Sequence, residues 1–231
     1  MNQAKTLLSV GLSALLLLGA GARDAEAGCR DGPEPGVDWS KCQKERLILR
    51  GRDLSGAQLA RTDLSQSDLL EATLVKAEMT QATLMNARLA EADLSQANLS
   101  KALASRANFE NANLAGAVLA KSEMPRANMA GADLSGADLS KGEFGRTVFK
   151  GATLRGGNLR FANISRADFR AADLTGADLT GAYMLFTKVE GSDLSQTVGI
   201  TQEQIGLACG DDATTLPTGL TRPTEWPCPA E

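Results

Sequence analysis

The stretch Gly131–Ser140, GADLSGADLS, contains one five-residue pattern twice, and its leucines belong to a period that extends far in both directions. Stepping by five from Leu54 to Leu194 gives 29 positions, here called markers; 18 are leucine and the others are Phe, Met, Ile, Val or Ala. Two residues before each marker the chain has a small residue, mostly alanine, and Arg52 is the one departure. An internal repeat of five residues therefore organises most of the chain.

A period of five is typical of neither a helix nor a long strand. On an ideal helix each step of five turns by about 140°, so the markers would be spread over every face. Side chains of a strand alternate with a period of two. A short strand that bends every five residues fits, because the small residue and the marker then point to the same side. Glycine stands two residues after nine of the markers, where a turn with positive φ is expected.

The stretches GADLSGADLS and RAADLTGADLTGA (Arg170–Ala182) resemble the Ala-(Asp/Asn)-Leu-X-X signature of the pentapeptide repeat proteins. The resemblance covers about 145 residues without an insertion. It implies an all-β fold, a right-handed quadrilateral parallel β-helix with four pentapeptides per coil, so that 29 repeats form about seven coils. The flanks, including GVDWSKC at Gly36–Cys42, resemble the caps of exported bacterial members. We expect a short capping helix near Gln202–Ala208, with Ile205 packed on the last coil.

The first residues of the chain are typical of an export signal. Lys5 precedes the apolar run LLSVGLSALLLL, which is too short to cross a bilayer, and AEA favours cleavage near Ala27. Lipidation of Cys29 is an alternative, although Glu26 stands where a lipobox needs an apolar residue. Because no later apolar run is long enough for a membrane span, we expect a periplasmic or secreted protein. The predicted parts are a signal peptide at 1–27, an N-terminal cap at 28–48, the repeat β-helix at 49–198 and a C-terminal cap at 199–231.

The four cysteines flank the repeats and fit an exported protein. Four cysteines allow three pairings. We favour the local pairs, Cys29 with Cys42 and Cys209 with Cys228, because a rigid repeat segment would hold the two groups apart. A zinc site is a weaker interpretation, since the chain has neither a CxxC motif nor a histidine.

If four repeats form one coil, residues 20 apart stack on each other. Every non-leucine marker except Met79 then falls on two adjacent faces, which supports a 20-residue coil. The stretch SKALASRANFE, residues 100–110, keeps this spacing, so we predict no domain break there. Phe109 is expected to fill the volume that Ala104 leaves, and Gly142 to leave room for Phe144.

Stacking also gathers outward-facing charges. Between two basic rows lie Glu123 and Glu143, and an acidic row lies on the opposite face: Asp53, Asp93, Asp133, Asp173 and Asp193. The basic residues form a candidate interaction face for an acidic protein or another anionic component of the cell envelope. They are Lys101, Lys121 and Lys141, the lysine row, and Arg106, Arg126, Arg146 and Arg166, the arginine row. The alternative is a solubilising surface in which each arginine pairs with a glutamate or faces solvent.

Four apolar residues near the end of the repeats are expected to point outward: Phe161, Tyr183, Leu185 and Phe186. Such a patch usually marks a contact surface. We expect the tail to fold back over it through Leu216, Pro217 and Trp226. The alternative is an interface through which two rods form an end-to-end dimer.

Catalysis has little support in the sequence. The chain has no histidine, no G-x-S-x-G motif and no phosphate-binding loop, so we expect neither an enzyme nor a cofactor. The formal charge of −4 gives no general basic field, so no nucleic-acid partner is expected. We predict an exported structural or protein-interaction module. Two alternatives are a DNA mimic that binds gyrase, which the family resemblance implies, and a binder of envelope polysaccharide.

Overall fold

A tight turn in every five-residue unit bends the backbone into a four-sided coil. The turn begins at the marker, and the N–H three residues further on donates to the marker's carbonyl, as Ala57 does to Leu54 at 3.0 Å. The third residue of each turn, two after the marker, has left-handed φ of 54° to 72° from Gly36 to Gly191. Most of these positions carry charged or polar residues, although left-handed φ favours glycine.

The computed structural model describes residues 28–228; the predicted signal peptide, residues 1–27, lies outside them. Parallel β-bridges one residue long connect each coil to the next, from Asp38, bridged to Gln58, to Asp193, bridged to Thr215. The offset between partners is 20 residues as far as Asp178 and Val198. A 3-10 helix at Gly28–Arg30 precedes the coil, and one α-helix, α1 (Gln202–Leu207), follows it. In this described part of the chain no helix has the length and apolarity needed to cross a bilayer.

In most units that have Asp or Asn before the marker, all five backbone N–H groups are paired. Two donate forward to the next coil, one donates back to the previous coil, one closes the turn, and one is bound by the side chain before the marker. In the unit that starts at Leu54 these donors are Leu54 to Thr73 O, Gly56 to Val75 O, Gln58 to Val37 O, Ala57 to Leu54 O and Ser55 to Asp53 Oδ1, at 2.7 to 3.0 Å. The Asp or Asn of the repeat signature thus stabilises the turn.

The markers and the small residues fill the interior and are almost fully buried. Phe149 stacks on Phe169 with ring centroids 4.6 Å apart and meets Phe144 edge-on at 5.9 Å. A Cβ added to Gly142 would lie 2.5 Å from the Phe144 ring, so this glycine does leave the room that Phe144 needs. Ala104 and Phe109 are both fully buried in one uninterrupted coil. The aromatic and methionine markers are therefore packing residues.

The N-terminal end of the coil begins earlier than the leucine pattern indicates. Bridges start at Asp38, so the coil includes residues that the pattern assigns to the N-terminal cap. Trp39 occupies a marker position and is only 1% exposed. At the next marker position the ammonium of Lys44 lies 4.1 Å from the centroid of the Trp39 ring. This end is fastened by the predicted disulfide between Cys29 and Cys42.

Helix α1 closes the other end of the coil. Its Ile205 is fully buried, and the Gln204 amide donates to the carbonyls of Leu179 and Ala182 at 2.9 Å. Residues after the helix accept hydrogen bonds from backbone N–H groups of the last coil, as Cys209 does from Val189 at 2.7 Å. The second disulfide joins Cys209 to Cys228, which confirms the local pairing of cysteines. The cap therefore covers both the apolar interior and the unpaired edge.

Candidate functional site

The arginine row lies in a groove of about 610 Å³ on one corner of the coil. This arginine groove is lined by Met85, Asn86, Ser105, Arg106, Pro125, Arg126, Gly145, Arg146, Ser165, Arg166, Tyr183 and Leu185. The sequence provides a simple cause for this groove. The residue before each arginine is Ser, Pro, Gly or Ser, whereas the corresponding positions one coil beyond each end are Met85 and Leu185. Small residues between two large ones leave a channel in which the arginines stand.

Each arginine of the row occupies the left-handed position of its turn, with φ of 57° to 61°. This position is the apex of a corner, so the side chain leaves the coil, and all four arginines are exposed. Coils are stacked at about 4.8 Å. The Cα atoms of the row therefore follow one another at a regular spacing that the backbone fixes.

Three guanidinium groups of the row are unengaged. Among residues 28–228, no ion pair or hydrogen bond involves the side chains of Arg106, Arg126 or Arg146. The nearby Glu143 accepts a hydrogen bond from the Asn163 amide at 2.8 Å. For a solubilising surface, each arginine was expected either to pair with a glutamate or to face solvent; pairing with glutamate does not occur for these three arginines. They face solvent without the partner that a guanidinium usually binds.

The lysine row lies on the adjacent corner and does not line the groove. Its members, Lys101, Lys121 and Lys141, also occupy left-handed turn positions, with φ of 57° to 59°. The face between the two rows carries Leu103, which is 38% exposed, and the exposed Glu123 and Glu143. The structure thus brings four of the seven basic candidates together and leaves the lysines on a separate edge.

Three residues of the predicted apolar patch are exposed, and the fourth, Leu185, is half-buried. Phe161, Tyr183 and Phe186 are 56%, 48% and 43% exposed. The tail was expected to cover them, but its Leu216 and Trp226 pack against the core cluster instead. The indole N–H of Trp226 donates to Ala208 O at 2.6 Å, which holds the described tail on the end of the coil. Tyr183 and Leu185 therefore form an open apolar end of the arginine groove.

The carboxylates of the aspartate row, on the opposite face, accept hydrogen bonds within the turns. In all five residues Oδ1 accepts the backbone N–H two residues further on: Asp53, Asp93, Asp133, Asp173 and Asp193. Bonds from the Thr175 hydroxyl and the Arg155 guanidinium lower the pKa of the Asp173 carboxyl to about 2. The Ser55 hydroxyl likewise lowers the pKa of Asp53. These carboxylates stabilise the coil and are less available to an external ligand than the arginines.

The repeat itself decides the family. Eight copies of the pentapeptide repeats family match the chain, over residues 53–90, 92–131, 105–140, 132–170 and 158–196. The chain belongs to the pentapeptide repeat family. No curated protein sequence matches it significantly.

Several solved structures are similar to this pentapeptide repeat protein. Full-length QnrB1, a plasmid-mediated fluoroquinolone resistance protein, is 14% identical with a TM-score of 0.58, over 78% of this chain and 91% of that one. HetL from the cyanobacterium Nostoc sp. strain PCC 7120, a pentapeptide repeat protein involved in heterocyst differentiation regulation, is 26% identical over 87% of this chain and 90% of its own, with a TM-score of 0.37. Rfr23 from the cyanobacterium Cyanothece 51142 is 19% identical over 78% and 90%, with a TM-score of 0.32. The likeness to QnrB1 supports the fold, a right-handed quadrilateral β-helix.

Proposed function

We propose that this protein is an exported, non-catalytic interaction module, a rigid rod of about eight coils that docks a negatively charged partner in the arginine groove. The observation that carries the proposal is the set of unengaged guanidinium groups of Arg106, Arg126 and Arg146 along one groove. A guanidinium is the side chain best suited to bind carboxylate or phosphate through two parallel hydrogen bonds. Because each arginine occupies a left-handed corner position of the same coil, the Cα atoms of the row keep one spacing with or without a partner.

Export is supported by the caps. Both cysteine pairs form disulfides, with Cα–Cα distances of 5.6 and 5.3 Å, and such bonds persist in oxidising compartments. The signal-like residues 1–27 add to this support. A non-catalytic role is supported by the groove lining, where serines stand without a histidine or carboxylate to activate them.

Two other functions have weaker support. A DNA mimic needs a run of accessible acids, whereas the aspartate row is bound into turns and skips alternate coils over much of its length. A polysaccharide binder usually offers aromatic platforms along its groove, and Tyr183 is the one aromatic residue of this lining. Neither function explains the unengaged arginines.

The proposal is tested with poly-L-glutamate, an anionic polypeptide that is unfolded at pH 7, and with the disulfide-bonded protein. The groove variant is Arg106→Gln/Arg126→Gln/Arg146→Gln. Glutamine suits these positions because Gln66, Gln81 and Gln96 already occupy left-handed turns in this chain, with φ of 59° to 60°.

The matched control is the lysine-row variant, Lys101→Gln/Lys121→Gln/Lys141→Gln, which loses the same charge from equivalent turn positions outside the groove. At about 0.2–1 kcal/mol for each exposed ion pair, we expect the groove variant to bind about tenfold more weakly and the control about twofold or less. Equal losses in both variants would show that binding follows net charge alone. Absence of binding by the wild-type protein would also reject the proposal.

A further inference from the structure

We infer that the partner of the arginine groove is an acidic amphipathic α-helix that lies along the axis of the rod. This inference rests on the proposed function and specifies the chemistry and shape of its ligand. Three observations carry it: the spacing of the unengaged arginines, the apolar residues at the two ends of the groove, and the length between those ends.

The arginine spacing matches one face of an α-helix. Arg106, Arg126 and Arg146 stand on consecutive coils, at about 0, 4.8 and 9.6 Å along the axis. Helix residues i, i+3 and i+7 lie within about 60° of each other and at about 0, 4.5 and 10.5 Å along their axis. The Cα levels of the three arginines therefore match those of the three helix positions to within about 1 Å, which is well within the reach of an arginine side chain. In an extended chain, successive residues of one face lie about 6.7 Å apart. The third such residue would therefore lie about 4 Å beyond the level of the third arginine.

The apolar ends of the groove extend the match. Met85, which is 43% exposed, lies one coil before the level of Arg106, and Leu185 lies four coils after it. These levels are about −5 and +19 Å from Arg106. Helix residues i−4 and i+14 lie on the same stripe as the three acids, at about −6 and +21 Å. Apolar residues at those two helix positions would contact Met85 at one end and Tyr183 with Leu185 at the other.

The inferred ligand is thus a helix of 19 or more residues with Asp or Glu at i, i+3 and i+7 and large apolar residues at i−4 and i+14. Arginine pairing at the centre provides orientation and electrostatic attraction. The apolar ends bury exposed surface and fix where the helix stops along the groove. The groove would recognise such a helix by the positions of its acidic and apolar residues as well as by its charge.

Synthetic helical peptides test the inference by fluorescence anisotropy with the intact protein. The test peptide carries the inferred pattern, and a second peptide has the same composition with its acids at i, i+5 and i+10, which spreads them around the helix. A third carries the inferred pattern with a proline at its centre to break the helix. We expect the first to bind about tenfold more tightly than the other two. The groove variant should abolish the preference over the second peptide, which differs only in the position of its acids, while the lysine-row variant retains it.

The apolar ends have their own test. Leu185→Ser should weaken the test peptide severalfold but leave a peptide with serine at i+14 unchanged. If the three peptides bind equally while poly-L-glutamate binding still depends on the three arginines, the helix inference fails and the proposed docking function stands. Tighter arginine-dependent binding of a linear polyanion such as heparin would overturn the helix in favour of an envelope polymer. If no anionic probe binds, both proposals fail.

Discussion

Replacement of Gly142 by alanine should destabilise the coil, although alanine is the usual residue at equivalent positions. A Cβ at Gly142 would lie 2.5 Å from Phe144 Cε2 and 2.8 Å from Cζ, distances at which the ring has to move. Phe144 is fully buried and its ring meets Phe149 edge-on, so its movement disturbs a second packed ring. Gly142 is thus small because its neighbour is large.

The size of the effect follows from a comparison with Gly157, which occupies the same position in another unit. A Cβ there would lie 3.1 Å from the carbonyl oxygen of Leu154, much as one at Gly142 would lie 3.2 Å from Leu139 O, but no ring is near it. The contact with the carbonyl oxygen is therefore common to both variants, and the difference in stability between them comes from the contact with the ring. Overpacking costs about 1–3 kcal/mol, whereas Gly157→Ala should be neutral or stabilise by up to about 1 kcal/mol through the unfolded chain.

Urea denaturation followed by circular dichroism measures both variants. With a slope of about 2 kcal/mol/M, the midpoint should fall by about 1 M for Gly142→Ala and stay or rise for Gly157→Ala. Phe144→Leu introduced into the Gly142→Ala protein should recover a large part of the loss, because leucine is the usual marker. If the two alanine variants behave alike, or the loss persists without the ring, volume compensation between Gly142 and Phe144 is refuted.

Three further changes test other parts of the structure. Phe149→Ala removes a buried ring stacked on Phe169 at 4.6 Å and should cost about 3–5 kcal/mol in urea denaturation, with Phe149→Leu costing clearly less. Because the pKa of Asp173 is about 2 when folded against an ordinary 3.8, its stabilisation is complete above about pH 4 and is lost as the pH falls toward 2. Asp173→Asn should therefore reduce the fall of the urea midpoint between pH 5 and pH 2.5. A fall as large as that of the wild-type protein would contradict this. Loss of the Cys209–Cys228 bond, which spans 19 residues, should cost about 3 kcal/mol and expose the C-terminal cap to limited proteolysis ahead of the coil.

Much of the interior follows directly from the sequence. A small residue and a large apolar residue at fixed places in every unit determine which side chains point inward, and the 20-residue offset follows from how the exceptions cluster. Even Ala104, the one marker with a small side chain, stays in the interior, because the backbone hydrogen bonds of a unit do not depend on the size of the side chain. The cysteine pairing was also predictable, since a rigid coil separates the two pairs.

The features that sequence patterns missed depend on relations between coils or on open ends. Lys44 interrupts the apolar pattern, yet it belongs to the coil because the end is open and its ammonium rests on Trp39 instead of entering a closed interior. The groove depends on the small residues that precede the arginines, and these acquire meaning only when positions 20 apart are compared. The path of the tail depends on the Trp226 hydrogen bond to Ala208 O, which no local pattern encodes.

The constant offset of 20 residues has a consequence for how such a surface can change. An insertion or deletion of exactly one coil leaves every remaining pair of stacked neighbours intact and alters only the length of the outward rows. A shift of one residue would instead turn every later marker out of the interior. Removal of residues 121–140 would thus shorten the arginine row by its second member, Arg126, and bring Met85 and Leu185 closer by about 4.8 Å. The length of the rod and of its outward rows therefore changes in steps of one whole coil, so a ligand of the proposed kind would be selected by its length.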